Sequence, residues 1–246
     1  MKVKLILISF CFFTISFSQI NEYPNWFLYP KDFNFVVGFD SDIKKSEDDA
    51  LLRFITYKKS FIVGNLLYSI GSEELEKQTE YNFIISNKMF KTYKGKLQLI
   101  DCFTNSIFEN FMICAYALNV PKNTIIKTIR SNKLLRPEWI KNNSFEDGVY
   151  YYGVGEFTSQ GNETYAWQTA EENSIISIAK MKKIKLTSLR VSLNDDNSDD
   201  FYSASKYTFK HSIEGIEILE RFPDKENNIF YVLSRVKIKN IKYLEK

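Results

Sequence analysis

Apolar and polar positions along the chain predict the same series of structural elements twice. In the first half, an apolar run over residues 34–39 predicts a buried strand. A helix of about six turns is predicted to begin at Ser46, with Gly71 as its stop signal. Its one-sided apolar stripe comprises Ala50, Phe54, Tyr57, Phe61 and Tyr68. Ser46 is the expected N-cap, because acidic residues follow it directly. Stretches rich in aromatic and β-branched residues then predict three strands, over 81–90, 97–103 and 110–120.

The second half follows the same order. An apolar run over 149–157 predicts its first strand, and Gly161 or Asn162 would cap the helix that follows. The apolar stripe of that helix begins with small residues and comprises Ala166, Ala170, Ser174, Ile178 and Met181. Four strand candidates come next, over 186–193, 202–211, 216–222 and 229–238.

A strand, a helix and then several strands joined by short turns predict an α+β fold. This order is typical of an antiparallel sheet with one long helix packed on a face, and not of a parallel βαβ array. We therefore expect two tandem repeats of that unit. The predicted divisions are a signal peptide at 1–18, a first repeat domain at 19–120, a linker at 121–136 and a second repeat domain at 137–246.

A Pro-x-Trp motif before the first strand of each half favours a repeat. Trp26 recurs as Trp139, and in each half a strand follows in which valine precedes glycine, at Gly38 and Gly155. A tryptophan at the same place in both halves is typical of a residue that closes one end of a core. Sugar stacking by the two rings is the alternative interpretation.

The first residues have the features of an export signal. Lys2 and Lys4 precede an apolar stretch over 5–17, and small residues follow at the expected cleavage positions. The stretch is shorter than the roughly 20 residues of a spanning helix. We therefore expect cleavage before Gln19, with an uncleaved anchor as the alternative.

The charge distribution argues against nucleic acid as a ligand. The net charge is +3 at pH 7, from 33 Lys and Arg against 30 Asp and Glu, and loss of Lys2 and Lys4 would lower it by two. Nucleic-acid binding needs a concentrated basic patch, whereas these charges are scattered.

Two cysteines lie beyond the leader, Cys102 and Cys114, near a predicted hairpin. The second half has Arg221 and Leu233 at the equivalent places, so it manages without a bond there. We expect the two cysteines to be small apolar residues, with a disulfide as the alternative that export permits.

Candidate catalytic residues are scarce. His211 is the only histidine, and a triad would have to use it as the base. It lies in a strand-like stretch without the glycines of a nucleophile elbow, so we expect an edge or surface histidine. The sequence predicts no catalytic residue and no cofactor.

An acidic stretch offers a weak calcium candidate. Asp195, Asn197 and Asp199 alternate as the oxygen ligands of a calcium loop do. A complete loop would have Gly where Asp200 stands and Glu where Lys206 stands. A solvated hairpin loop is therefore the preferred interpretation.

These motifs together resemble the LPP-twenty family of bacterial envelope lipoproteins. The resemblance rests on the Pro-x-Trp motif, the strand ending in Val-Gly, the alanines Ala166 and Ala170, and a closing hairpin. The amino-terminal domain of the flagellar H-ring protein T looks related to the same family. The resemblance covers 137–238 and, more loosely, 24–120, and it implies an envelope role without established catalytic residues. The chain differs in lacking a lipobox, because Phe10 precedes Cys11 where a small residue is required.

We therefore expect an exported, non-enzymatic protein of the cell envelope that binds another envelope protein or itself. The periplasm, the outer membrane and the medium are its candidate locations. Membrane association stays open, although the mature chain has no predicted transmembrane helix. The alternative is a module that binds glycan or another small ligand. A hydrolase that uses paired carboxylates is the third hypothesis.

Overall fold

The computed structural model describes residues 23–70, 75–105, 111–118, 134–181, 187–192 and 203–243. The predicted signal peptide and most of the predicted linker lie outside these residues. Within the described part of the chain, no helix combines the length and the apolar character needed to cross a membrane.

The first half combines helices of 4 to 16 residues with strands. Its elements are α1 (Asn25–Leu28), β1 (Val36–Asp40), α2 (Ile43–Lys58), β2 (Lys59–Ile70), β3 (Leu75–Ile84), α3 (Asn87–Tyr93), β4 (Gln98–Asn105) and β5 (Phe111–Ala117). A short 3-10 helix, Pro30–Asp32, follows α1.

The second half has one long helix between strands. Its elements are β6 (Ser144–Glu146), β7 (Tyr150–Thr158), α4 (Glu163–Met181), β8 (Thr187–Ser192), β9 (Ser203–Glu214), β10 (Glu217–Asp224), β11 (Ile229–Lys237) and β12 (Ile241–Tyr243). A 3-10 helix, Glu138–Lys141, precedes β6, and another, Ile238–Asn240, precedes β12.

The described strands form three antiparallel sheets, and the α+β class is confirmed. The first sheet has the order β1-β5-β4, and the second has the order β10-β11-β7-β6. The third sheet combines both halves, because β2 pairs along its whole length with β9, from Lys59 opposite Glu214 to Ile70 opposite Ser203. This sheet also contains β3, β8 and β12.

The first two sheets share their internal order. The closing hairpin is β4–β5 in the first half and β10–β11 in the second, and its later strand is central in each sheet: β5 lies between β1 and β4, and β11 lies between β7 and β10. The register shifts at matching places, between Leu99 and Asp101 in one hairpin and between Ile218 and Glu220 in the other. The repeat and its domain boundaries stay predictions, and the third sheet lies outside the predicted arrangement.

A glycine lets a helix backbone lie directly on each of these two sheets. A Cβ added at Gly38 would fall 1.9 Å from the carbonyl oxygen of Ser46 on α2, and one at Gly155 would fall 2.0 Å from that of Ala170 on α4. No side chain fits at those separations, so the glycines permit the close helix–sheet contact.

The predicted bounds of α2 are wrong at both ends. The N-cap is Asp42, whose Oδ1 accepts a hydrogen bond from the Lys45 amide at 3.0 Å, and Ser46 lies buried inside the helix. The helix ends at Lys58, and the stretch predicted to complete it forms β2. The apolar stripe predicted too long a helix because Phe61, near its end, also suits a strand. Pairing of this stretch with the distant strand β9 makes it β2 instead of helix.

The other predictions differ in accuracy between the halves. The strand predicted over 81–90 is divided between β3 and α3, which Ser86 caps by accepting from the Met89 amide. In the second half all six predicted elements form within a few residues of their expected bounds, and Asn162 caps α4 through the Tyr165 amide. The three-residue strands β6 and β12 are too short to give an apolar pattern.

The main core takes side chains from both halves. Tyr23 and Phe27 of the first half pack against Trp167 on α4, with ring centroids 5.7 and 5.2 Å apart, and Trp167 packs on Phe230 of β11 at 4.8 Å. A smaller cluster lies between α2 and the other face of the first sheet and includes Ala50, Leu51, Ile55, Val36 and Tyr116. The first sheet is therefore covered on both faces.

The expectation of two free cysteines is wrong. Cys102 on β4 lies directly opposite Cys114 on β5, with their Cα atoms 4.2 Å apart, and the two form a disulfide. The matching pair in the second hairpin is Arg221 and Val232, one residue from the equivalence expected for Leu233. Strand register decided this outcome, and the sequence alone leaves the register open by one residue.

Candidate functional site

Five charged or phenolic side chains meet where the two halves join, and they form what we name the Glu171 cluster: Asp49, Arg53, Tyr57, Glu171 and Arg221. Asp49, Arg53 and Tyr57 come from α2, Glu171 from α4 and Arg221 from β10. The carboxylate of Glu171 is at the centre, and its residue is only 1% exposed.

Arginines bind both oxygens of Glu171. Arg53 Nη1 and the Tyr57 hydroxyl donate to Oε1, and Arg221 Nη2 donates to Oε2 at 2.6 Å. Arg53 Nε also donates to Asp49 Oδ2 at 2.8 Å, and the Phe39 amide donates to the same oxygen at 2.9 Å. Two guanidinium groups and two carboxylates thus balance their charges inside the protein.

Aromatic rings enclose the two guanidinium groups. Arg53 lies 4.7 Å above the ring of Phe39, and Arg221 lies 4.6 Å above that of Phe27. Arg221 Nη1 also donates to the Phe27 carbonyl at 2.8 Å. These cation–π contacts and hydrogen bonds offset part of the cost of burying the charges.

The environment shifts the pKa values in the cluster. Burial opposes ionisation of Glu171, but the positive charges of Arg53 and Arg221 outweigh it and lower the pKa of Glu171. Burial, followed by the negative charge of Glu171, raises the pKa of Tyr57 well above its ordinary value. At neutral pH Glu171 is therefore an anion and Tyr57 a neutral donor, so neither is poised to exchange protons there.

Sequence reasoning missed the Glu171 cluster. Glu171 follows Ala170 on the predicted helix, and Arg221 was noted only as the residue at the place of Cys102. An acid next to a stripe of small residues is the one available signal, since small residues indicate a face packed too closely for solvent.

The second notable region is the face of the second sheet turned away from α4. Gly153 and Gly155 abut the α4 backbone, so Tyr150, Tyr152 and Val154 point to the opposite side of β7. We name this surface the outer face. Glu220 on β10 belongs to it, because it lies opposite Leu233, which in turn lies opposite Val154.

The Pro-x-Trp motifs bind matching positions on the two sheets. Trp26 Nε1 donates to Asp101 Oδ2 at 3.0 Å, and Trp139 Nε1 donates to Glu220 Oε2 at 2.8 Å. Both carboxylates directly follow the register shift of their hairpin. Burial raises the pKa of Glu220, while the Trp139 hydrogen bond acts in the opposite direction.

The core role predicted for the two tryptophans is confirmed for Trp26 and holds only in part for Trp139. Trp26 is 1% exposed, which removes it as a sugar platform. Trp139 is half-buried, because its Pro-x-Trp segment lies on the outer face and no other part of the described chain encloses it. Trp26 is enclosed, because the corresponding face of the first sheet also packs against the second half.

Aromatic side chains also gather at the β6 edge of the outer face. The rings of Phe145 and Tyr152 stack at 4.6 Å with an interplanar angle of 7°. Arg235 lies 4.2 Å above Tyr150 and binds Glu217 Oε2 through two nitrogens, at 2.8 and 2.7 Å. All three rings are partly accessible, so this edge offers stacking surfaces and a fixed ion pair to a ligand.

The predicted surface location of His211 is wrong. The residue is fully buried in β9, between Ile62 of β2 and Tyr243 of β12. The sequence indicated an edge position because neither strand that pairs with β9 at His211 could be predicted. β12 is too short to give a sequence signal, and β2 pairs with β9 from far along the chain.

The calcium candidate Asp195, Asn197 and Asp199 lies outside the described residues. Among the residues that the structure does describe, no three His, Cys, Asp or Glu side chains converge as a metal site would require. Comparison of the chain with protein-family models, with characterised proteins and with solved structures finds no match. The resemblance to the LPP-twenty family therefore stays a prediction.

Proposed function

We propose that this chain is an exported, non-enzymatic protein of the cell envelope that works through protein–protein contacts, and that the outer face of the second sheet is its contact surface. The observation that carries the proposal is the difference between the two Pro-x-Trp segments. The segment with Trp26 is enclosed by the other half of the chain, and the one with Trp139 is accessible. A half-open aromatic surface bounded by charged groups is typical of a protein-binding patch.

The disulfide supports the exported location. A bond between Cys102 and Cys114 persists in an oxidising compartment, and the predicted leader would deliver the chain to one. An envelope role is also what the LPP-twenty resemblance implies.

The Glu171 cluster supports a non-enzymatic role. Its two carboxylates, Asp49 and Glu171, both bind Arg53, and burial keeps Glu171 from any substrate. The cluster is suited to joining the two halves.

A site-specific photocrosslinker at Ile140, beside Trp139, tests the proposal in the cells that make the protein. We expect an adduct with an envelope protein, or with another copy of the chain, that disappears when Trp139 is replaced by Ala. A crosslinker at Ile84, which is 48% exposed on β3, is the matched control. If position 140 yielded no adduct above that control, the outer face would not be a contact surface.

A glycan-binding module is the second candidate, and the stacked pair Phe145 and Tyr152 favours it. Sugar rings bind flat aromatic faces edged by carboxylates, and Asp147 Oδ2 accepts from the Tyr152 hydroxyl at 2.8 Å beside them. Titration calorimetry against envelope glycans, with Tyr152→Ala as the comparison, distinguishes the candidates. Heat that the variant abolishes would favour glycan binding.

A further inference from the structure

The contact between the two halves provides a template for the outer face. The first half presents Phe27, next to Trp26, and the second half receives it on α4 at Trp167, one turn before Glu171. Every residue of this contact is buried. The chain therefore contains one completed example of a Pro-x-Trp segment docked on a helix.

The chain also carries an open counterpart of each side of that contact. Ile140 follows Trp139 as Phe27 follows Trp26, and it is half-buried instead of enclosed. On the receiving side, Gly38 and Gly155 abut Ser46 and Ala170 respectively. Ser46 of α2 therefore corresponds to Ala170 of α4. With the helices aligned in this way, Ile43 corresponds to Trp167 and Glu47 corresponds to Glu171.

The open receiving side is accessible and apolar at its centre. Ile43 is 49% exposed, whereas Trp167 is fully buried. Glu47 is half-buried one turn further along α2. In the completed contact, the corresponding acid Glu171 binds Arg53 of the other half, so Glu47 is suited to binding a cation from a partner.

The presenting side supplies such cations. Lys141, which directly follows Ile140, has a side chain 69% exposed, and Arg136 has one 54% exposed. Lys141 pairs with Glu138 and Arg136 pairs with Asp224, both acids of the same half. Both basic side chains nevertheless stay accessible to a partner. The presenting side therefore has an apolar centre beside basic groups, and the receiving side has an apolar centre beside an acid. The two sides are complementary in charge.

We infer that the occupant of the outer face is a second copy of this chain, docked head to tail. The Trp139–Ile140 segment of one copy packs on the start of α2 of the next, at Ile43 and Glu47. The inference rests on the proposed function and names the partner for its contact surface. A contact between two different surfaces leaves one surface free at each end of a pair. Copies can therefore add in series and form a ring or a filament.

Sedimentation velocity of the mature chain over a range of concentrations tests this inference. We expect self-association that weakens as salt is raised, and loss of association in both Ile140→Asp and Ile43→Asp. Ile84→Asp is the matched control, because Ile84 has nearly the same exposure as Ile43 and lies on β3. Lys141→Glu, at an exposed side chain, is a second presenting-side variant should Ile140→Asp fail to fold.

Mixing the variants gives the sharpest result. Ile140→Asp keeps a working receiving side and Ile43→Asp a working presenting side, so an equimolar mixture should form a dimer and nothing larger. Association of Ile43→Asp equal to that of the unaltered chain would overturn the head-to-tail arrangement, as would a mixture that stays monomeric. An unaltered chain that is monomeric throughout, yet crosslinks to a different envelope protein at position 140, would overturn this inference and leave the proposed function standing.

Discussion

At the scale of single residues, Glu171 is the side chain on which the junction of the halves depends. Within the Glu171 cluster it is the acid that binds both Arg53 and Arg221. Removing its charge leaves the buried guanidinium group of Arg221 without this carboxylate partner and leaves Arg53 with Asp49 alone. We expect Glu171→Gln to lower the free energy of unfolding by about 3 kcal/mol, because breaking a buried ion pair from one side is strongly destabilising. Chemical denaturation followed by circular dichroism measures this loss.

Glu226→Gln is the matched control for that measurement. Glu226 lies in the exposed turn between β10 and β11, away from the Glu171 cluster, so the same chemical change should alter stability by less than about 0.5 kcal/mol. Equal effects of the two substitutions would contradict a special role for the Glu171 cluster.

The lowered pKa of Glu171 also predicts a pH dependence of stability. A carboxyl whose pKa is lower in the folded state holds fewer protons there than in the unfolded chain. Its contribution is therefore complete above the ordinary carboxyl pKa of about 4.3 and declines as the pH falls through the lowered value. Glu220, whose pKa is raised, contributes with the opposite sign.

The difference between the unaltered chain and Glu171→Gln isolates this term. We expect the two unfolding free energies to converge as the pH is lowered from about 5 toward 2, since the unaltered residue becomes protonated there. Denaturation curves at several pH values give the comparison. A difference that stayed constant with pH would mean that the Glu171 charge does not stabilise the fold.

At the scale of elements, the close contact between α4 and β7 depends on Gly155. A Cβ at this position would meet the Ala170 oxygen at 2.0 Å and the Ser174 nitrogen at 2.2 Å, and both are backbone atoms that cannot rotate away. We expect Gly155→Ala to cost about 3 kcal/mol through the forced separation of helix and sheet. Gly148→Ala, where the added carbon has open space but φ is +84°, should cost about 1 kcal/mol.

Thermal unfolding of the two glycine variants compares these costs. A loss at Gly155 no larger than the loss at Gly148 would mean that α4 can move off the sheet freely.

The closing hairpin of the first half depends on its disulfide. Cys102 and Cys114 are 12 residues apart, and a loop of this size contributes about 3 kcal/mol when cross-linked. We expect reduction to lower the melting temperature of the unaltered chain and to leave a Cys102→Ser, Cys114→Ser double variant unchanged. Unfolding curves of both proteins with and without reductant make the test, and equal responses would show that the bond does not stabilise the fold.

Elements held by local signals were predictable, and elements decided by distant partners were not. Asn162 and the small residues of α4 located that helix, because capping and packing signals lie within it. The end of α2 was missed because β2 forms only by pairing with β9, far along the chain. The Glu171 cluster was missed for the same reason, since its members come from α2, α4 and β10 and share no sequence spacing.

At the scale of the whole molecule, the halves have features of a repeat and are nevertheless tied together. They share the β2–β9 ladder, the ring contacts of Phe27 with Trp167, and the bonds from Arg53 and Tyr57 to Glu171. Each of these contacts is lost if either half unfolds. Independent domains of roughly 110 residues would instead unfold separately.

We therefore predict one cooperative unfolding transition for the whole chain. Differential scanning calorimetry should give a calorimetric enthalpy equal to the van't Hoff enthalpy, which is the signature of a single unit. Glu171→Gln should lower the transition temperature without dividing the peak, because the β2–β9 ladder still connects the halves. Two separate peaks in the unaltered chain would mean that each half is stable alone, and the shared core would then be a contact between domains and not the centre of one fold.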